Sequence, residues 1–405
     1  MHLKNLFANS SKTTYQKHGK IDIPLLIVTL LIVAFGVVMV YSASMYSAYL
    51  HYGNPFFYMW KQIIGAIMGV AAMVALSFIN YNTLQKLRYP ILALSFILLG
   101  IIFIPGVGVE HYGARRWLNL PFLSLQPSEI SKFAIIIFTA SYMAKHHKSM
   151  RKFKYLIPVL IVGLATCALI LLQPNMSIVI CIGLLMLTML FLGGARIKHF
   201  ILMAIPLVGT VVTLILIEPY RMRRMMAFIN PWASPLGEGF QLIQSLYSLG
   251  SGGLFGIGLF NSRQKYLFLP FSESDFILSI IGEELGLVGI VFLFLAYAIM
   301  IYRAIRIAQN ASDRLGTYMA SGIAAIIAIQ VLVNVAVVTG SIPPTGLPLP
   351  FISAGGSSLL VFLGSIGILQ SISRHSHRSI NALSIKTSKK PRLKFPKLKK
   401  PQKQI

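Results

Sequence analysis

Carboxylates are what this chain has least of: ten Asp and Glu stand against 36 Lys and Arg, and only 11% of its 405 residues are charged while 56% are hydrophobic. A water-soluble domain of this size would need far more polar side chains to cover its surface, so a soluble globular fold is excluded. Cysteine is nearly absent too. Cys167 and Cys181 lie inside apolar stretches with no CxxC pairing and no neighbouring His, which excludes a disulfide scaffold or a cysteine-based metal site and leaves two small apolar fillers. No repeat of solenoid period occurs. The glycine-rich stretch at 250–258 lacks the Gly-Lys-Ser/Thr ending of a Walker loop and the strand and helix of a dinucleotide fingerprint, so a nucleotide cradle is excluded as well.

What the chain has instead is apolar runs. About 20 apolar residues let a helix cross a hydrocarbon core of roughly 30 Å. Ten such runs occur, near 24–46, 62–79, 89–106, 130–144, 156–173, 177–193, 199–217, 276–301, 317–339 and 352–372. The expected fold class is therefore all-α, a polytopic membrane protein of ten transmembrane helices. The first run is followed by Ser42-Ala43-Ser44, as a signal peptide would be, but it is too long for that and reads as an uncleaved anchor.

Basic residues fix the orientation. With the N-terminus inside, Lys4 to Lys20, Lys86 and Arg88, the cluster from Lys145 to Lys154, Arg196 and Lys198, Arg303 to Arg314, and the tail from Arg374 all fall on the cytoplasmic side. This is the positive-inside bias, and an even helix count returns the C-terminus to the cytoplasm. The expected division is a cytoplasmic tail at 1–20, one transmembrane domain at 21–373 and a disordered basic cytoplasmic tail at 374–405. The net charge of +26 thus points to anionic lipid headgroups or a cytoplasmic partner, and not to nucleic acid.

The few acids are sorted the other way. Glu110, Glu129, Glu218, Glu238, Glu273, Asp275, Glu283 and Glu284 fall in or beside the outward half, leaving Asp22 and Asp313 inside. Ionisable groups near lipid are costly and seldom idle, so chemistry is expected on the outer face. One long outer loop, 218–275, contains an amphipathic helical piece at 241–249 and then the glycine-rich 250–258. It reads either as a re-entrant or interfacial element bordering a cavity, or as an ordinary surface loop.

Four outward strings carry the remaining information. They are Gly113-Ala114-Arg115-Arg116-Trp117 with Gln126-Pro127-Ser128-Glu129-Ile130-Ser131-Lys132; Gln173-Pro174-Asn175; Leu269 to Phe276 running into Gly282-Glu283-Glu284; and the proline- and glycine-rich Pro343 to Ser358. With Val40-Tyr41-Ser42-Ala43-Ser44 they resemble the SEDS family, which comprises FtsW, RodA and SpoVE, over about 21–373. Gly113 to Trp117 and the long basic tail look more like the FtsW and SpoVE branch than RodA. The chain departs from the family pattern at Asn175, Ser274 and Ala354.

The resemblance implies a peptidoglycan glycosyltransferase of the plasma membrane. Such an enzyme polymerises lipid II on the outer face beside a class B penicillin-binding protein transpeptidase and other divisome membrane proteins, for septal synthesis in the FtsW case and for elongation or spore cortex in the others. A lipid II flippase is the reading of another class, disfavoured because repeats and midplane charges are lacking. The residue taken as catalytic corresponds to Asp275, the expected general base. Asp275 also stands where a helix N-cap would, and it could hold a divalent Mg or Mn ion with phosphate oxygens; no other cofactor is implied. Arg115 and Arg116 are expected at the diphosphate, since a guanidinium fork matches phosphate oxygens. Trp117 would border the groove or sit in the interfacial belt. Glu129 and Lys132, one helical turn apart, would pair and line the cavity or simply brace the fold. Glu283, closer than Glu284 to the Asp275 face, would tune the base or bridge helices. Ser353, Gly355 and Gly356 would shape the substrate cavity.

Overall fold

Helix α1 (Ile23–Tyr52) begins where Asp22 caps it: Asp22 Oδ1 accepts from the Leu25 N–H at 3.0 Å, and proline occupies the first turn, where a missing N–H does no harm. It ends at Gly53, whose φ of 66° lets its N–H turn back to Tyr49 O. The computed structural model describes residues 19–111, 114–119, 124–217 and 219–376. The expected tails lie almost wholly outside the described residues, as does Gly113.

The helices that follow are α2 (Phe57–Phe78), the short α3 (Tyr81–Lys86), α4 (Arg88–Ile101), α5 (Pro127–His146), α6 (Ile157–Leu171), α7 (Met176–Leu192), α8 (Ile197–Ile217), α9 (Pro219–Ile229), α10 (Phe240–Gly252), α11 (Ile277–Gln309), α12 (Arg314–Val338) and α13 (Gly356–His375). Each of the ten apolar runs overlaps one of them. Five, α1, α2, α11, α12 and α13, are long and apolar enough to cross a membrane, and α4, α6 and α7 are shorter apolar helices. Cys167 and Cys181 are free thiols within α6 and α7.

One element departs from an all-helical reading. Between α4 and α5, strands β1 (Gly108–His111), β2 (Ala114–Asn119) and β3 (Ser124–Leu125) form an antiparallel sheet in the order β1-β2-β3, with Trp117 paired opposite Val109. The strands are too short for a period-of-two pattern to stand out, and it is the cross-strand pairing that creates them.

Small residues bring the helices together. Gly65 of α2 meets the backbone of Gly356, where an added Cβ would lie 3.1 Å from the Gly356 Cα, and Gly69 meets Leu363 of α13. In lipid the helices gain little from the hydrophobic effect, so such close approach supplies much of their attraction. At one end of the bundle Arg303 forks onto the Asp22 carboxylate, with Nε 3.0 Å from Oδ1, and Gln370 bonds both the Asp22 N–H and its carbonyl. Both ends of the described chain therefore sit at one end of the bundle, the end that charge assigns to the cytoplasm.

Helix α11 is broken at Gly286, where φ is 66° and ψ −166°. The break exposes backbone groups that membrane surroundings cannot satisfy, and the glycine-rich segment after α10 satisfies them. Ile257 and Gly258 donate to the carbonyls of Glu283 and Glu284, and Leu287 and Val288 donate to those of Gly253 and Leu254, all at 3.0 Å. The segment is thus a docked element and not an ordinary surface loop. An alanine at 286 would need a backbone conformation open almost only to glycine and would strike the Gly256 N–H and the Leu254 carbonyl. Gly286→Ala is expected to lower the thermal midpoint of the purified chain in detergent by several degrees, against no change for Gly183→Ala, whose Cβ would meet nothing within 4 Å.

Candidate active site

At the end of the bundle opposite Asp22, three elements converge on the entry to α11. Asp275 lies two residues before that helix. It accepts a bond from Ser274 Oγ at 3.1 Å, and its carbonyl accepts from Asn334 Nδ2 of α12 at 2.8 Å. Asp275 is half-buried, and burial pushes its carboxyl up from the ordinary 3.8 to about 6. The Ser274 bond opposes that rise, the Glu273 carboxylate adds to it, and the guanidiniums of Arg224 and Arg116 pull it down. Asp275 is not the N-cap of α11, a position held by Phe276, so its carboxylate remains available for chemistry.

The proline-rich segment 343–355 clamps this carboxylate from the other side. Ser353 Oγ donates to Ser274 O at 2.6 Å and accepts from the Leu349 N–H, while the Ala354 N–H donates to Glu273 O at 2.8 Å. A Cβ on Gly346, whose φ is 71°, would stand 3.1 Å from Asp275 Oδ2, so a glycine is what lets the loop close over the acid. Phe271 and Phe351 both hold positive φ, 56° and 67°, on either side of the site. Such strain persists only where surroundings over-determine it. Gly355 and Gly356 sit at the start of α13, where Gly356 serves the packing against Gly65.

Arg116, on β2, reaches over to α7's entry, donating from Nε to Gln173 O at 3.2 Å and from Nη2 to Pro174 O. Arg115 beside it is exposed and Trp117 half-buried. Asn175 caps α7, accepting from the Ile178 N–H. Glu129 and Lys132 do pair, Nζ to Oε1 at 2.8 Å, and both are fully buried. Lys132 Nζ also donates to Gln330 Oε1 at 2.9 Å, and Gln330 Nε2 donates on to Pro348 O at 2.9 Å. The ion pair is therefore joined to the clamp loop through α12, away from any open surface.

Glu283 and Glu284 form a second buried cluster. Glu283 accepts from Ser262 Oγ, Ser248 Oγ and the backbone N–H groups of Arg263 and Gln264. Glu284 accepts from Ser42 Oγ at 2.6 Å, and Lys265 Nζ lies 3.2 Å from its Oε1. Together they pin the 262–265 turn, which leads directly into the segment ending at Asp275.

Sequence reasoning missed Arg224, Lys265, Ser262, Gln330 and Asn334. Arg224 had a signal: Arg221, Arg223 and Arg224 cluster on the side where the charge bias leaves few basic residues. Gln330 and Asn334 also share one face, four residues apart in an apolar helix. Lys265 had none, because its partner lies 19 residues away across a turn and a helix.

An apolar cavity of about 440 Å³ opens among α10, α11 and α12, lined by Leu249, Leu278, Gly282, Ile290, Phe294 and Val335 among others. Among the described residues no group of three or more His, Cys, Asp or Glu gathers at one place.

Comparison with known proteins gives a consistent result. Stage V sporulation protein E of Bacillus subtilis (strain 168) is 41% identical over 356 residues, 88% of this chain and 97% of that one. The probable peptidoglycan glycosyltransferase FtsW of Trichlorobacter lovleyi is 40% identical over 353 residues, 87% of this chain and 93% of its own. Among solved structures, a chain from work on the structural coordination of polymerization and crosslinking by a peptidoglycan synthase complex superimposes with a TM-score of 0.73 at 29% identity, covering 88% of this chain and 99% of that chain. The rod shape determining protein RodA of Thermus thermophilus gives a TM-score of 0.66 at 26% identity, covering 88% of this chain and 98% of its own. Residues 23–378 match the family model described as cell cycle protein, FtsW/RodA/SpoVE, and the chain, a multi-pass membrane protein, belongs to that family.

Proposed function

We propose that the chain is a peptidoglycan glycosyltransferase that polymerises lipid II on the outer face of the plasma membrane, with Asp275 as general base. One observation carries the assignment of the base: a half-buried carboxyl raised to about 6, inside the influence of two guanidiniums and with the Gly346 turn of the 343–355 loop against it. A base near neutrality ionises readily yet still draws a proton, which is what transfer to a hydroxyl oxygen requires.

In the proposed step, the acceptor sugar hydroxyl attacks the anomeric carbon of the donor and gives its proton to an Asp275 carboxylate oxygen. The new glycosidic C–O bond forms as the bond to the diphosphate oxygen breaks, and the polyprenyl diphosphate departs with its charge. Arg116, Arg224 and the exposed Arg115 would stabilise that developing charge. The apolar cavity would take the polyprenyl chain, while Trp117 and the Ser353 clamp would border the sugars. A single carboxylate that can share an ion with phosphate oxygens suits Mg or Mn, which would add charge neutralisation at the diphosphate. Glu129, Lys132 and Glu283 act as positioning residues: the pair holds the clamp loop through Gln330, and Glu283 holds the turn before Asp275.

A class B penicillin-binding protein is the proposed partner, and the septum the proposed place of action. The similarity to both FtsW and SpoVE relatives keeps spore cortex synthesis as the second reading; depletion that leaves filaments supports the septal role, and round cells support a RodA-type role. The activity itself is tested with the purified chain and its partner on labelled lipid II, where glycan chains should form and disappear in Asp275→Ala. Product formed equally by that variant would remove Asp275 from the mechanism.

Arg224→Ala is expected to reduce polymerisation about tenfold, the scale of one charge-assisted contact. It should also move the acid limb of the pH profile above that of the unmodified chain, because Arg224 holds the Asp275 pKa down. A rate loss with an unmoved limb would place Arg224 away from the carboxylate.

A further inference from the structure

The cytoplasmic end of the bundle carries a cavity of about 380 Å³ that the outer-face chemistry does not use. It is lined by His147, Lys148 and Arg151 from the segment after α5, by Gly193 and Gly194 at the α7–α8 turn, and by Tyr318 of α12. Three cationic or protonatable side chains thus converge with a phenol on one concave site. Among the described residues no carboxylate pairs with any of them.

The imidazole makes the site more than a charged surface. His147 lines the hollow beside Lys148 and Arg151, and its Nε2 has no hydrogen-bond partner among the described residues. Gly194, at φ 85°, has nothing within 4 Å of where a Cβ would stand, so the turn leaves the hollow open. Its volume lies within the range of small-molecule sites.

The rim indicates what enters. Leu192 lines the hollow and is 46% exposed, and Phe191 beside it is 61% exposed, so an apolar surface adjoins the cationic one. A free phosphate would use only the cations, whereas a lipid uses both: a phosphodiester on Arg151, Lys148 and His147, and acyl chains along α7. Basic hollows between helix ends on the cytoplasmic side suit anionic headgroups for this reason. We infer that this hollow binds the phosphate of an anionic phospholipid of the inner leaflet, with His147, Lys148 and Arg151 as its contacts.

The test uses the full chain in detergent, titrated with phosphatidylglycerol and, separately, with phosphatidylethanolamine, and read as bound lipid by native mass spectrometry. The combined variant His147→Gln/Lys148→Gln/Arg151→Gln is expected to bind phosphatidylglycerol about thirtyfold more weakly, the scale of two lost cations at a lipid surface. The charge-matched tail variant Lys389→Gln/Lys390→Gln is expected to change it by less than about twofold. Equal losses in both variants, or no preference for phosphatidylglycerol over phosphatidylethanolamine, would overturn the inference. So would millimolar inorganic phosphate that displaces the lipid completely, since the hollow would then be a site for free phosphate. Should the combined variant fail to fold, a phosphatidylglycerol with a photoreactive headgroup decides on the unmodified chain. Labelling within 147–151, 193–194 or at Tyr318 is expected, and labelling confined to other segments would sink the site.

Discussion

Asp275→Asn is expected to lower the rate of lipid II polymerisation by about a hundredfold to ten-thousandfold, the range that a positioned general base contributes. The amide keeps the shape and can still accept from Ser274, so the loss would be one of proton transfer and not of architecture. In the unmodified chain the rate should fall as pH drops through about 6, because the base must be ionised and its folded pKa lies there. The linked effect on stability has the opposite sign to that of most acids. Since the folded value is raised above the ordinary 3.8, the native chain holds a proton that the unfolded chain has released, so this group stabilises the fold in acid and that contribution fades as pH rises through about 6. Asp275→Asn should therefore raise the thermal midpoint at neutral pH while lowering the rate. A variant that is both inactive and less stable would point instead to a structural role.

Lys265→Met is expected to destabilise the chain by about 3–5 kcal/mol, the scale of stripping one partner from a buried ion pair. Lys265 and Glu284 are both fully buried, and without the ammonium the Glu284 carboxylate keeps, among the described residues, Ser42 Oγ and the Ser262 N–H as donors. The double variant Lys265→Met/Glu284→Gln should recover most of the loss, because no uncompensated charge remains. Thermal unfolding of both, with tryptic cleavage at Arg263 as a local readout of the turn, gives the comparison. Equal midpoints for the single variant and the unmodified chain would show that the pair does not hold this turn. The consequence for activity follows from the chain path: the turn at 262–265 leads to Asp275 within ten residues, so loosening it should lower kcat more than it changes lipid affinity.

The membrane helices were legible because lipid imposes a long apolar run on each, which no tertiary partner needs to supply. The Glu129–Lys132 pair was legible too, since one helical turn of spacing is a local property. The β1–β3 sheet was not, its strands being defined by pairing across 108–125. Nor was the break in α11: Gly286 reads as one more glycine in an apolar stretch until the 253–258 backbone docks against it. The proline-rich 343–355 stretch was recognisable as a rigid loop, but its grip on Asp275 through Ser353 and Asn334 depends on contacts spanning up to 79 residues.

By itself, then, the amino-acid sequence determined that this chain lives in a bilayer, which segments are apolar enough to cross it and how acids and bases are sorted among its loops, because hydropathy and charge act on each segment separately. Only the tertiary structure decided that one of those acids has a pKa near 6 and that others are locked into internal ion pairs. A carboxylate's behaviour is set by its desolvation and by the charges folded around it, and both arise when distant segments meet.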